Sequence, residues 1–597
     1  MIRSTALSKF FFAKLPVIVR NDIEYSIKCR QKRKAATYEN IARFTDEMIK
    51  NGLFAAPLIE NKYSFADSRN DNKRDLKLDH HILMDDSSIG NLSWRLMESH
   101  MGIMSNMDFD EEREEESRSY FEVLKSVYIE MRDSLLAVHL SAPNIKKKHK
   151  TIEDAEREIE CAIRRMLDEE WIAKRFLFLR AQYIEFSQIA LDRVGEKKHQ
   201  QKFISKVSFA NWMQKQRDAE HFLKCMSVMN TETGEAFDLN EVVKRTTANP
   251  ENRRIEMMVR ARGNEELAID LGYEAVFINW TLPSKYHRNS KKWGGHSVKD
   301  GHINLMEQWK RARARLAKDD IDYFGFRVSE PHKDGTSHAH MFLFCRPNQK
   351  ALLVRHLQEV AIEEDREELG EDITPRFLVK FADPSQGSAT AYIAKYISKN
   401  INGAHMPSND AEKGAYLARA WASTHRIKQF QGFGNPSVGL WRSLRKVDAK
   451  DTAFDVDLEE LRQAADSSKW MRFCQLAHEA KTEYEESENK YGEKTYSPIG
   501  FLWRNVVVKT KTAIYSIVKT KDVPRLASAL ASKKKRSFAP WSTENKCNSD
   551  LIEALQRITG WSVDGVQCLI KPLQSGAKVP IDKYSTISLR NNRLLQN

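Results

Sequence analysis

His338 and His340 stand one residue apart at the head of an apolar run, Met341-Phe342-Leu343-Phe344-Cys345. Side chains two apart on a strand share a face, so a strand here points both imidazoles the same way. Glu330 closes the preceding strand-like run, Ile321 to Ser329, and Asp334-Gly335 between the two runs is a hairpin turn signal. Two imidazoles and one carboxylate converging at the mouth of a hairpin form a divalent-metal site with open coordination positions. The plain alternative is a hairpin whose surface histidines have no ligand.

A second group lies about fifty residues on. Tyr392 and Tyr396 are four apart, and Lys395 and Lys399 fall on the same helical face. Ile393, Ala394 and Ile397 form the opposite, buried stripe. A phenol is a weak nucleophile at its free pKa of about 10. A neighbouring ammonium favours the phenolate, and a divalent metal polarises a phosphodiester and stabilises its developing charge. An amphipathic helix with half-exposed tyrosines would be unremarkable alone. Beside a metal hairpin it becomes the other half of a phosphoryl-transfer site, with two nucleophiles for two successive attacks.

The elements that must position these groups can be read from periodicity and turn signals. Strands are expected over 275–282, 321–329, 338–345 and 376–381, and helices over 303–317, 351–368 and 389–400. The order strand, helix, strand, strand, helix, strand, helix is that of a ferredoxin-like or RRM-like antiparallel sheet. The fold class is therefore α+β: a central domain over 241–448, a mainly helical N-terminal region over 1–240, and a mainly helical, basic C-terminal region over 449–597. The N-terminal region includes a polar stretch at 67–77 and an acidic patch at 108–116. The segment 425–446 interleaves Phe430, Phe433 and Trp441 with Arg and Lys, which suits stacking on unpaired bases or an apron packed on the domain. Lys533-Lys534-Lys535-Arg536 reads as a linker.

At 597 residues the chain exceeds one core, and its net charge of +13 with a pI near 9.1 points to a polyanionic partner. Its seven cysteines form no Cys-x-x-Cys pair, which argues against a zinc ribbon or a disulfide framework and favours a reducing compartment. No run approaches the roughly 18 apolar residues of a membrane span, and a cytoplasmic location in a bacterial host cell is expected.

Taken together, Glu330…His338-Ala339-His340 followed by Tyr392-x-x-x-Tyr396 resembles the HUH (histidine–hydrophobic–histidine) endonucleases. Within them the chain is similar to the bacteriophage replication gene A protein family, the two-tyrosine initiators of rolling-circle replication. Phe277 to His287 and Tyr323 to His332 extend the match. The resemblance implies a nickase domain holding a magnesium or manganese ion (Mg2+ or Mn2+) through His338, His340 and Glu330, with His332 as the competing third ligand. It implies that Tyr392 and Tyr396 are the nucleophiles, that a 5′-phosphotyrosyl link and a free 3′-hydroxyl form, and that Lys395 and Lys399 stabilise phosphate or phenolate. The implied partners are single-stranded or supercoiled phage origin DNA and the host replication machinery, with no membrane. A separate host helicase is also implied, since no Walker loop is present. Ser337, Ala339 and Asn279-Trp280 depart from the family's usual residues. The competing readings are a transposase or relaxase of a mobile element, a non-catalytic single-strand-binding protein, and an ordinary metal hydrolase.

Overall fold

A computed structural model describes residues 6–32, 37–64, 78–105, 120–381, 388–403, 411–510, 513–537, 543–574, 579–581, 585–590 and 593–596. The polar stretch at 67–77, the acidic patch at 108–116 and Gln386-Gly387 lie outside them. The architecture is mixed α and β with antiparallel sheets. The chain divides into two compact units, one of residues 1–224 and 239–512 and the other of 225–238 and 513–597.

In the first unit the chain is helical from Ala6–Ala13 through Lys206–Cys225, as the charged, helix-forming composition of this region leads one to expect. Its apolar faces meet in one core that includes Val19, Leu96, Val127, Met166 and Phe176. A five-stranded sheet follows, built from β1 (Glu274–Trp280), β2 (Tyr323–Pro331), β3 (Ser337–Cys345), β4 (Phe377–Phe381) and β5 (Phe430–Phe433). Its order is β4-β1-β3-β2-β5, and every neighbouring pair is antiparallel.

Strand alternation divides this sheet into two cores. Val276, Ile278, Trp280, Ala339, Met341 and Leu343 face two helices, Val298–Lys318 and Lys350–Glu363. Phe277, Phe324, Phe326, Val328, Phe342 and Phe344 face the other way, onto α1 (Pro250–Leu271) and α2 (Ala389–Ile401). Burying each such side chain contributes about 1.5–3 kcal/mol, so a one-residue slip that turned the strand over would be prohibitive. His338 and His340 share the parity of Phe342 and Phe344. The same periodicity that buries the phenylalanines therefore aims both imidazoles at the tyrosine-bearing α2.

Three expectations are corrected. The helix expected from 303 begins at Val298, because Ser297 and Asp300 form a reciprocal capping box. The helix expected to reach 368 stops at Glu363, since Asp365 takes a left-handed conformation (φ 51°) and a short 3-10 turn follows. The region after 449 is mixed rather than mainly helical. Ala480–Glu488, Lys494–Trp503 and Val506–Lys509 form a three-stranded sheet. Its glutamate-rich stretch Ala480–Glu488 is an exposed strand held by ladder pairing to Lys494–Trp503, because strand formation depends on context more than on intrinsic propensity.

In the second unit Met226–Asn230 pairs with Tyr515–Lys519 and Ala236–Asp238, followed by three helices and a closing three-stranded sheet. The basic run at 533–536 lies within the helix Val523–Ser537 rather than in a linker, Lys and Arg being good helix formers. Among the described residues, no helix is long and apolar enough to cross a membrane.

Candidate metal and tyrosine site

Among the described residues, Glu330, His338 and His340 are the group whose ligand atoms lie within 4.8 Å of one another. Glu330 and His338 are direct register partners across the β2–β3 ladder. His340 Nε2 lies 2.8 Å from His338 Nε2 and 3.3 Å from Glu330 Oε2. Glu330 is fully buried and His338 nearly so. Burial holds the His338 imidazole well below its ordinary pKa, and the neighbouring His332, His340 and Lys399 add to the effect, so it is neutral, the state in which an imidazole can bind a metal. Burial alone would raise the Glu330 carboxyl, but His340 and Lys399 outweigh it and the net shift is downward. Two imidazoles and an ionised carboxylate suit a divalent cation.

His332 stands apart from this group. Its ring stacks on His338 with centroids 4.0 Å apart and meets His287 at 5.1 Å, while Nε2 has no hydrogen-bond partner. Burial lowers its pKa to about 4. His287 in turn faces the buried Asp334 carboxylate at 3.5 Å. The strand ends thus carry a row of imidazoles leading to the cluster.

α2 completes the site. Its N-terminus is capped by Ser388 and by Glu265 from α1, whose carboxylate accepts from Ala389 N at 2.7 Å, Thr390 N at 3.1 Å and Ser388 Oγ at 2.9 Å. A carboxylate at a helix N-terminus complements both the free N–H groups and the dipole. Ile393 and Ile397 anchor the helix on the phenylalanine face of the sheet. The tyrosines consequently lie over the strands: Tyr392 against Phe277, with ring centroids 4.3 Å apart, and Tyr396 against His340 at 4.1 Å. Tyr396 Oη donates to Tyr392 Oη at 3.1 Å.

Lys399 Nζ sits 2.9 Å from Glu330 Oε2, while Lys395 is exposed. The lysine expected beside a phenol is thus engaged with the carboxylate. Burial, the Tyr392 hydroxyl and the Glu330 charge all push the Tyr396 phenol well above its ordinary value. This is opposite to the shift expected from the lysines alone.

Several supporting residues escaped the sequence reading. Asn400 donates to Glu330 Oε1, and Gln429 donates to Asn400 Oδ1 at 3.1 Å. Asn279, noted only as a departure from a family pattern, lies with Oδ1 2.5 Å from His340 Nδ1. A cavity of about 470 Å³ opens beside the cluster, and His338, Lys399, Lys202, Phe203 and Lys333 are among the residues that line it. Phe203 comes from the N-terminal region, holds a left-handed backbone (φ 74°) and donates its N–H to Lys333 O at 3.1 Å. Of the two readings of 425–446, the rings follow the apron packed on the domain and not base stacking. Phe430 and Trp441 are buried and Phe433 packs on Trp309, because these residues belong to an edge strand and the helix that follows it.

Comparison with known proteins bears on this geometry. Residues 91–404 match the family described as bacteriophage replication gene A protein (GPA). The "Probable replication protein P12" of Pseudoalteromonas phage PM2 is 37% identical over 412 residues, covering 65% of this chain and 62% of that protein. The "Replication gene A protein" of Escherichia phage 186 is 34% identical over 425 residues, covering 66% of this chain and 60% of that protein. A "Probable replication endonuclease from prophage-like region" of Salmonella typhimurium is 33% identical over 297 residues, covering 48% of this chain and 36% of that protein. The chain spans about three fifths of the length of the first two relatives. No solved structure matches it.

Proposed function

This chain belongs to the bacteriophage replication gene A protein family, and on that premise we propose that it is a site-specific, single-strand DNA nickase that initiates and terminates rolling-circle replication. The observation that carries the proposal is the placement of Tyr396 on the His340 ring, 4.1 Å away, beside a buried Glu330–His338–His340 group. The strand order β4-β1-β3-β2 with an added edge strand supports a ferredoxin-like nickase domain over 241–448.

In this reading a tyrosine oxygen attacks the scissile phosphate. The new O–P bond forms as the P–O3′ bond breaks, the phenol loses its proton, and the departing 3′-oxygen gains one. One phosphodiester is exchanged for another, so no external energy source is needed, and the 3′-hydroxyl primes synthesis. The second tyrosine performs the terminating transfer. His338, His340 and Glu330 would hold a divalent ion, Mg2+ or Mn2+, which polarises the phosphodiester and stabilises charge on its oxygens. Lys399 balances Glu330 and lines the cavity beside the cluster, where its ammonium attracts the phosphate. Phage origin DNA, a host helicase and the host replication machinery are the partners that this function requires.

The test is incubation of the full chain with single-stranded origin DNA and Mn2+, followed by denaturing electrophoresis. A protein–DNA adduct that survives denaturation, and is lost when Tyr392 and Tyr396 are both changed to Phe, is the expected result. Binding without an adduct would identify a binding module instead, and cleavage without an adduct an ordinary hydrolase.

A further inference from the structure

A second cavity, of about 520 Å³, opens at the far edge of the sheet between α1 and the segment around β5. Four cations line it, Arg253, Arg260, Lys428 and Arg442, against a single carboxylate, Glu256. That carboxylate is already taken. Arg442 grips it with both arms, Nε at 2.8 Å and Nη2 at 2.7 Å. The remaining three cations face the cavity without a second carboxylate among its lining residues.

Arg260 is the best defined of them. Its guanidinium is held between two rings, 5.1 Å from the Phe326 centroid and 5.2 Å from that of Trp470. Its Nε is buried and has no hydrogen-bond partner. Burial holds it below its ordinary pKa, which marks a cation not fully compensated by its surroundings. The approach depends on Gly432: a Cβ there would come within 2.8 Å of Arg260 Nη2. Arg253 lies over the Phe430 ring at 5.5 Å. Rings and a glycine thus hold cations in place where ion pairs ordinarily would, leaving N–H donors for an outside anion.

The site is linked to the metal cluster through the chain. Gln429, just before β5, supports Asn400, which donates to Glu330, and Gln429 O accepts from Ser329 N at 2.7 Å. Phe430 to Gly432 then run into the cavity. Gly432 pairs with Phe326, four residues along β2 from Glu330, so at about 3.3 Å per residue of strand the cavity and the cluster lie about 13 Å apart along the sheet.

We propose that Arg253, Arg260 and Lys428 form a binding site for backbone phosphates of single-stranded DNA, apart from the nicking centre and holding the strand to one side of it. That the anion is DNA rests on the proposed replication function; the anion site itself rests on the cavity.

The test uses the full chain with Tyr392→Phe and Tyr396→Phe, in EDTA, so that neither cleavage nor an adduct interferes. Binding of a labelled single-stranded oligonucleotide is followed by anisotropy over a range of salt concentrations. Each phosphate contact on a single strand contributes about 0.7 to the slope of log K against log salt. Changing Arg253 and Lys428 together to Ala is expected to weaken binding about tenfold or more and to lower the slope by about 1.4. Gly432→Ala keeps every charge but displaces Arg260, and is expected to weaken binding as well. Parental affinity and slope in both variants would overturn the proposal, as would failure of the parent to bind DNA. An active-site failure reads differently: no adduct from the unmodified chain, with this binding and its salt slope intact.

Discussion

His340 Nδ1 lies 2.5 Å from Asn279 Oδ1, directly across the ladder that joins β1 and β3. With the amide oxygen accepting, Nδ1 carries the proton and Nε2 presents its lone pair toward Glu330 and His338. A ligating histidine ordinarily has its other nitrogen tied in this way, and loss of such a partner costs about 10–100-fold in metal affinity. Asn279→Leu is therefore expected to weaken Mn2+ binding by that factor, and Asn279→Asp to retain most of it. Calorimetric titration decides the point, and equal affinities for parent and Leu variant would refute the role of Asn279.

The two tyrosines are not equivalent. Tyr396 stacks on His340, whereas Tyr392 stacks on Phe277, one strand position pair further from the cluster. Tyr396→Phe is expected to reduce the first adduct on origin DNA by about 100-fold or more, the scale of a lost catalytic group. Tyr392→Phe should affect that first step much less and impair the second transfer. Rates of adduct formation on a single-site oligonucleotide test this; a larger defect from Tyr392→Phe would reverse the assignment.

Gly325 lies in the middle of β2 with φ 146°, and a Cβ there would meet Phe342 O at 2.0 Å. The clash is with the backbone of β3, which cannot yield without disturbing the strand that carries both histidines. Gly325→Ala should destabilise the fold by on the order of 3 kcal/mol, combining backbone strain with overpacking. Urea unfolding followed by fluorescence would show a lowered midpoint, and an unchanged midpoint would count against this packing.

Outside the Glu330–His338–His340 group, His80, His302 and His425 are among the histidines buried in neutral form. Burial lowers His302 and His425 to about 3 and His80 to about 4. In the unfolded chain each titrates near 6.5. The folded pKa values lie below the unfolded ones, so as pH falls from about 7 toward 4 the unfolded state takes up protons that the folded state refuses. Stability is complete above about 7 and declines below it, with a limit of about 1.4 kcal/mol per pH unit for each histidine. Thermal unfolding measured at pH 7, 6 and 5 should show a falling midpoint; a flat profile over that range would contradict the burial of these imidazoles.

How much of this was legible in the chain differs from residue to residue. Asp334-Gly335 and the alternation from His338 to Phe344 yielded the hairpin. The four-residue spacing of Tyr392 and Tyr396 yielded the helical face, and strand and helix signals in order yielded the sheet. In the sequence the segment at 430–433 stays open between base stacking and an apron on the domain, since Arg and Lys among aromatic rings look alike whether the rings face bases or the protein. The glutamate-rich strand at 480–488 was missed, because its partner strand, not its own composition, holds it.

What the sequence by itself determined is therefore the local part: which side chains share a face, where turns fall, and which residue types are available for metal binding and attack. Tertiary structure alone decided that α2 lies on the histidine face of the sheet. It also decided that Lys399 pairs with Glu330 69 positions away, that Asn279 lies against His340 from 61 positions away, and that Gly432 leaves room for Arg260 beside a cavity lined by cations. Periodicity records the geometry of a residue's own helix or strand. It carries no record of which distant element will cover that face, and burial, charge compensation and tautomer are all set by that cover.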